Sequence, residues 1–392
     1  MSTCKIKILY IHHGAGIGGA PLSLLYLIQK IDKSIFAPKV LFLTDSEAVD
    51  LFRENDIDVR VLNLKHYLFF HWEPTWYRIH NIWRFMRDLI KQFYIIRNIA
   101  YRTLKEENPS IVHFNSTFLA PWAIVAKKCG ISTVLHVRET LAKGYFGIRK
   151  RIYSKIINKF CDKVIAISYD NLNRLNLNNG KGSVIYNFVD FDKFDKYKSY
   201  PELFKRQKDD IIVTYLGGQI KYKGFHEVVD CLQLLNSNIK VVFAGYYKFY
   251  PKLKYKNPFK YHYLKKMYNS ENAIVMGISN KIPALLKQTD IVLFPSNKPH
   301  FARPVIEAFA MSTPVIVSDV KGNNEIVKKG ITGQIFKSGS PKDLADKINI
   351  LSKNKEKMLR WGNKGYYFAK EKFDSDINSK HTFEKYYELL KI

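Results

Sequence analysis

The stretch Asp290-Ile-Val-Leu-Phe-Pro-Ser-Asn-Lys-Pro-His-Phe-Ala-Arg-Pro-Val-Ile-Glu307-Ala-Phe-Ala-Met-Ser-Thr-Pro-Val-Ile-Val-Ser-Asp319 decides the fold. Its two β-branched runs, Ile291–Phe294 and Pro314–Val317, carry no polar alternation, as strands buried on both faces require. Between them Pro304–Met311 predicts a helix, with Pro304 suited to a first turn whose N–H groups need no partner. Strand, loop, helix and strand in that order build a parallel sheet. The loop opens at a strand's carboxyl end beside a helix N-terminus, where such sheets bind anionic ligands. Glu307, one turn into the helix, is placed to accept hydrogen bonds from sugar hydroxyls.

Working outward, the same pattern occurs twice. Ile6–Ile11 predicts a strand, followed by the glycine loop His12-His-Gly-Ala-Gly-Ile-Gly18-Gly19 and a helix over Leu22–Ile31. Val40–Leu43, Val59–Leu62, Ile111–Phe114, Thr133–Val137, Lys163–Ile167 and Ser183–Tyr186 supply further strands, with helices over Phe118–Cys129, Ile148–Phe160 and Tyr169–Leu175. A second series starts at Ile211–Leu216 with its loop Gly217-Gly218-Gln-Ile-Lys221-Tyr-Lys223-Gly224 and the helix Phe225–Leu235. Strands at Lys240–Ala244 and Ala273–Met276 follow, with a helix over Ile282–Gln288. Leu344–Ser352, Lys355–Lys370 and Ser375–Ile392 close the chain as helices. Alternating strands and helices in two halves predict an α/β protein of two doubly wound, Rossmann-like domains facing each other across a cleft.

These residues resemble the retaining glycosyltransferases of the large family four, which have the GT-B fold. Pro295-Ser296, Phe301, Glu307-Ala308, Ala310, Pro314-Val315 and the Gly322…Glu325 turn match its nucleotide-binding segment. Lys223-Gly224 matches the end of its Gly-Arg-x-x-x-Lys-Gly pattern, and Asn187-Phe-Val-Asp190 resembles the turn that closes its first domain. The resemblance implies domains at 1–195 and 196–372, with a terminal helix, 373–392, crossing back to the first. It also implies a nucleotide-sugar donor of UDP or GDP type, with no separate cofactor and no metal. Glu307 would hold the ribose, Lys223 the leaving diphosphate and His136 the donor sugar. Gly18, Gly19, Gly218, His300, Phe301, Arg303, Pro304 and Val305 would line the donor site. Two family positions differ. Pro299 stands where the family has its first glutamate, and Gly218 or Gln219 stands where it has arginine. Lys221 and Arg303 are candidates for the second positive charge. His113, Asn115, Arg138 and Glu139 stand at neighbouring strand ends of the first domain. The alternatives are a GT-B sugar-nucleotide epimerase and a catalytically inactive glycan-binding relative.

Length and charge bound the rest. A chain of 392 residues, 46% hydrophobic, suits two domains with proper cores. The net charge of +28 attracts nucleic acid, anionic membrane or phosphorylated ligands. No nucleic-acid-binding module is recognisable, so nucleic acid is not an expected partner. Cys4, Cys129, Cys161 and Cys231 are scattered singly, which argues against disulfides and a structural zinc. The chain enters a strand directly after Met1-Ser-Thr-Cys-Lys, and no apolar run reaches membrane-spanning length. The expectation is a cytoplasmic protein, possible also as a peripheral one at the membrane's inner face. Trp76–Lys105 predicts a long helix with Ile79, Ile82, Trp83, Met86, Leu89, Ile90, Phe93 and Ile96 on one face and basic residues beside them. That face is either core or an anionic-membrane contact serving a lipid-linked or glycan acceptor. The apolar loop Tyr67–Trp72 precedes it. Tyr246–Lys266, which interleaves aromatics with lysines, lies outside the minimal pattern.

Overall fold

The structure is a computed structural model that describes residues 5–14, 16–64, 82–141, 145–178, 180–245, 247, 249–250, 252–277, 279, 281–299 and 301–392. Cys4, the Tyr67–Trp72 loop, the first part of the helix expected from Trp76, Tyr246 and His300 lie outside these residues. Two compact units result: residues 1–187 with 375–392, and residues 188–374. The boundary follows Asn187, ahead of the expected 195, and Phe188 and Val189 are already buried.

The first unit runs β1 (Ile6–His12), α1 (Gly19–Gln29), β2 (Phe36–Phe42), α2 (Glu47–Arg53), β3 (Asp58–Val61), α3 (Ile82–Tyr94), α4 (Tyr101–Glu107) and β4 (Ile111–Phe114). It continues α5 (Trp122–Lys128), β5 (Ser132–Val137), α6 (Ile148–Phe160), β6 (Lys163–Ala166), α7 (Tyr169–Arg174) and β7 (Gly182–Val184). The sheet order is β3-β2-β1-β4-β5-β6-β7, and every pairing is parallel. Alternate residues of a strand face opposite ways. Leu9, Ile11, Val112 and Phe114 therefore join a core with Leu104, Trp122 and Ile157 from α4, α5 and α6.

The second unit runs β8 (Ile211–Tyr215), α8 (Phe225–Cys231), β9 (Ile239–Ala244), α9 (Leu253–Lys256), α10 (Pro258–Tyr268), β10 (Ala273–Gly277), α11 (Ile282–Lys287) and β11 (Ile291–Phe294). Then come α12 (Arg303–Ala310), β12 (Val315–Ser318), α13 (Asn323–Ile326), β13 (Gly333–Phe336), α14 (Pro341–Ser352) and α15 (Lys355–Lys372). Its order, β10-β9-β8-β11-β12-β13, is again wholly parallel. The lysine- and aromatic-rich segment forms α9 and α10, with Asn257 capping α10 through Lys260 N–H at 2.9 Å. The last helix, α16 (Ser375–Leu390), belongs to the first unit. Its Tyr386 lies on the sheet face opposite α4–α6, where its hydroxyl meets His113 Nδ1 at 2.7 Å and Tyr10 at 3.3 Å.

The helix expected from Trp76 differs in its packing. A π-helical segment, Ile95–Ala100, joins α3 to α4 and shifts the phase of the faces. Gln92, Ile95, Ala100 and Leu104 are buried, whereas Trp83, Ile90 and Phe93 are 84%, 66% and 70% exposed. The apolar stripe of α3 is not a core face. Among the described residues no helix is long and apolar enough to cross a membrane.

Candidate functional site

In each sheet the chain winds outward in opposite directions from two adjacent strands, β1 and β4 in one and β8 and β11 in the other. The loops leaving those strands diverge, and doubly wound sheets bind ligands there.

In the second unit the loops after β8 and β11 are fastened together. Tyr222 O accepts hydrogen bonds from Asn297 N–H at 3.0 Å and from the Ser296 hydroxyl at 3.1 Å. The Ser318 hydroxyl donates to Ser296 O, and Asn323 Nδ2 donates to Ser318 O at 2.9 Å. The loops after β8, β11 and β12 are thus tied in one relay. Gly224 adopts φ 82°, and a Cβ there would lie 2.1 Å from Pro295 O, so only glycine admits this approach. Tyr215, buried at the end of β8, directs its hydroxyl at Gly218 O (3.1 Å) and Lys223 O (3.2 Å), bracing the intervening turn from below. Gly218 (φ 62°) supplies the left-handed residue of that turn.

Lys223 therefore stands on a rigid loop. It is half-buried, its ammonium has no hydrogen-bond or ion-pair partner among the described residues, and burial lowers its pKa. An anion beside it would offset that cost. Lys221 is exposed on the same turn. The two amide atoms of Gln219, at the position of the family arginine, are buried and without hydrogen-bond partners among the described residues.

Across the β11 loop, α12 starts without a side-chain cap, with Arg303 and Pro304 in its first turn. Arg303 Nε donates to Glu307 Oε1 at 2.9 Å, one helical turn on. Burial raises the Glu307 pKa, opposed by the Arg303 and Lys193 charges. The arrangement presents a carboxylate, a guanidinium and helix N–H groups on one face, suited to a ribose and a phosphate. Phe301 and Val305 are buried. Phe301 packs edge-on against Phe373, and Val305 N–H donates to Ala302 O at 3.0 Å, so both side chains shape the helix start from within. Nothing is described for His300.

In the first unit the ends of β1, β4 and β5 gather His12, His113 and His136. Burial drives the pKa of all three well below the usual histidine value, so they are neutral near pH 7. His136 is 3% exposed, and neither ring nitrogen has a hydrogen-bond partner among the described residues. Its ring centroid is 5.4 Å from that of His113. Arg138 donates from Nε to Asn115 Oδ1 at 2.5 Å and from Nη1 to Asn187 Oδ1 at 2.8 Å. It is thus spanned between asparagines, and its charge also acts on Glu139. Glu139 accepts the Thr117 N–H at 3.2 Å and lies 3.9 Å from His13 Nε2. Burial outweighs these contacts and pushes its pKa up to about 7.

The glycine loop after β1 is organised by a residue outside the expected pair. Gly14 has φ 85°, and a Cβ there would meet Thr44 O at 2.2 Å. Gly18 caps α1, where a Cβ would meet nothing within 4 Å; Gly19 is the helix's first residue. The signal for Gly14 was its place directly after the strand-end histidines. Among the described residues no group of three or more His, Cys, Asp or Glu is arranged to hold a metal ion.

Two family models match in succession: Glycosyltransferase Family 4 over residues 17–193 and Glycosyl transferases group 1 over residues 198–368. The capsular polysaccharide biosynthesis glycosyltransferase CapM of Staphylococcus aureus is 27% identical over 65% of this chain and 69% of its own. An N,N'-diacetylbacillosaminyl-diphospho-undecaprenol alpha-1,3-N-acetylgalactosaminyltransferase of Campylobacter jejuni is 23% identical over 79% of this chain and 86% of its own. Among solved structures, Anabaena Alr3699/HepE in complex with UDP-glucose superposes with a TM-score of 0.77 at 20% identity, covering 98% of this chain and 100% of that one. With both sheets and both matched segments accounted for, the chain belongs to the group 1 glycosyltransferases, nucleotide-sugar-dependent enzymes of the GT-B fold.

Proposed function

We propose that this enzyme transfers a sugar from a UDP-sugar, with retention and without a metal, to a lipid-linked acceptor in cell-surface glycan synthesis. The observation that carries the reading is that the braced loop of Lys223 is hydrogen-bonded to the β11 loop, which leads into α12 and its Arg303–Glu307 pair. UDP-glucose in the Anabaena neighbour and the diphospho-undecaprenol in the name of the Campylobacter relative support the choice of donor and acceptor.

In this reading Glu307 accepts the ribose hydroxyls, while Lys223, Arg303 and the α12 N–H groups hold the diphosphate. The bond between the anomeric carbon and the phosphate oxygen breaks, and its electron pair leaves with the diphosphate. The acceptor oxygen bonds to the anomeric carbon on the same face and passes its proton to a departing phosphate oxygen. Catalysis then consists of positioning and of stabilising charge on the leaving group, which a lysine and an arginine supply in place of a divalent cation. His136, a neutral imidazole, is the group assigned to a sugar hydroxyl. The exposed Trp83, Ile90 and Phe93 of α3 serve as a contact with an anionic membrane, making the enzyme peripheral at the cytoplasmic face.

Incubating the enzyme with a panel of nucleotide sugars and polyprenyl-diphosphate sugars, with and without EDTA, tests the reading. Product with the donor's anomeric configuration, formed equally in EDTA, is expected. The assignment fails if neither Glu307→Ala nor Lys223→Ala weakens donor binding or turnover.

A further inference from the structure

A second surface of the first unit has the composition of a lipid contact. Phe146, just before α6, is 93% exposed, and Ile148 and Ile152, one turn apart on α6, are 53% and 51% exposed. The helix meanwhile buries Arg149 and Ser154 together with Tyr153 and Ile157. Its outward face thus sets Ile148 and Ile152 among the exposed Arg151, Lys155 and Lys159, a mixed face on which two isoleucines stay uncovered. The backbone holds the aromatic out. Phe146 has φ 42° and Gly147 φ 84°, two successive left-handed residues, and the left-handed region is unfavourable for a bulky side chain. Strain retained at an exposed aromatic points to use of that side chain.

Beside this edge lies an open cavity of about 840 Å³ lined by Phe146, Lys150, Arg151, Lys155, Lys159 and Asn178. None of the four cations forms an ion pair with a carboxylate among the described residues. The far wall is fixed. Asn158 Nδ2 donates to Ser154 O and Asn176 O, each at 3.0 Å, and Asn158 Oδ1 accepts Asn178 N–H at 2.7 Å. Cations converge on a pre-formed concavity with the exposed Phe146 at its edge.

On its buried side α6 packs with α4 and α5 on one face of the sheet, and Phe146 stands just ahead of its first turn.

We propose that the α6 edge docks on a bilayer of anionic phospholipid, Phe146, Ile148 and Ile152 entering the interface while the cavity of Lys150, Arg151, Lys155 and Lys159 takes a phosphate headgroup. This rests on the reading of the enzyme as membrane-associated. Cations beside aromatic and branched aliphatic side chains suit a headgroup boundary. Nucleic acid would use the aromatic and the cations but gain nothing from the exposed isoleucines.

The test is cosedimentation of the full chain with phosphatidylcholine vesicles, with and without phosphatidylglycerol. The chain should bind only the anionic vesicles. Phe146→Ser and the double variant Lys150→Ala/Lys155→Ala should weaken binding, the latter about twenty-five-fold at about fivefold per cation. Both should keep the parent's thermal midpoint. If the parent binds no vesicles, the membrane reading and this inference both fall. If Trp83→Ser/Phe93→Ser abolishes binding while both α6 variants bind like the parent, this inference alone falls. It falls equally if millimolar inorganic phosphate displaces the vesicles, or if a short RNA outcompetes them.

Discussion

Arg303 Nε donates to Glu307 Oε1 at 2.9 Å across one turn of α12, with both side chains largely buried. Burial raises the Glu307 pKa, and the guanidinium opposes that rise. Removing it takes away the main opposing influence, so the carboxyl is protonated over a wider pH range. A protonated carboxyl no longer accepts from both ribose hydroxyls. Arg303→Ala should weaken UDP binding by about ten- to a hundredfold, with the loss largest at low pH. In the parent, affinity should rise as pH rises through the Glu307 pKa, and the variant's rise should be displaced upward. Titration calorimetry with UDP between pH 5 and 8 measures both.

Gly224 is the residue that brings Lys223 to the β11 loop. A methyl group there would lie 2.1 Å from Pro295 O and 2.5 Å from its Cγ, at a φ of 82° that alanine disfavours. Gly224→Ala should cost about 2–4 kcal/mol of stability in urea unfolding and lower UDP affinity through the displaced lysine. Gly18→Ala is the contrast. With nothing within 4 Å and φ −129°, it should change stability by less than about 0.5 kcal/mol.

That contrast shows what the sequence made legible. The strands beside the switch points announce themselves because burial on both faces leaves an unbroken apolar run, as at Ile291–Phe294. Glu307 and Lys223 were singled out by the motifs of the resembled family, each following such a strand. Gly14 and Gly224 differ from Gly18 in their left-handed φ and in what approaches them, Thr44 O and Pro295 O, and those partners are distant in sequence. The strand β13 escaped because Gly-Gln-Ile-Phe has neither an apolar run nor clean alternation. The face of α3 stayed open between core and membrane contact for another reason. Periodicity identifies a stripe but not whether protein covers it, and here Trp83, Ile90 and Phe93 are exposed.

Tyr386 ties α16 to the first sheet. Its hydroxyl lies 2.7 Å from His113 Nδ1 and 3.3 Å from the Tyr10 hydroxyl, all three residues being fully buried. Tyr386→Phe keeps the ring's packing against Phe36 and Phe383 but strips His113 Nδ1 of its partner. A loss of about 1–3 kcal/mol is expected, the cost of an unsatisfied buried polar group. His113→Ala combined with Tyr386→Phe should cost less than the sum of the two single changes, since the second no longer orphans the His113 ring.

At the amino-terminal edge of the first sheet, Glu107 is 4% exposed and faces Lys7 at 2.8 Å, Arg60 at 2.9 Å and Lys39 at 3.2 Å. Burial alone would raise its pKa. The hydrogen bonds from Lys7, Arg60 and Lys39 overcome that and hold it at about 2, against 4.5 for an ordinary glutamate. A carboxyl whose folded pKa is depressed stabilises the fold above its unfolded pKa, and that contribution is lost as pH falls through the folded value. The difference corresponds to about 3 kcal/mol at neutral pH. Glu107→Gln should therefore lose about that much in urea unfolding at pH 7, and three buried-edge cations left without an anion would add to the loss. As pH is lowered from about 4.5 towards about 2, the parent should lose stability and the variant should not, so the two unfolding curves converge. Curves that stay parallel across that range would show that the three cations do not act through the charge of Glu107.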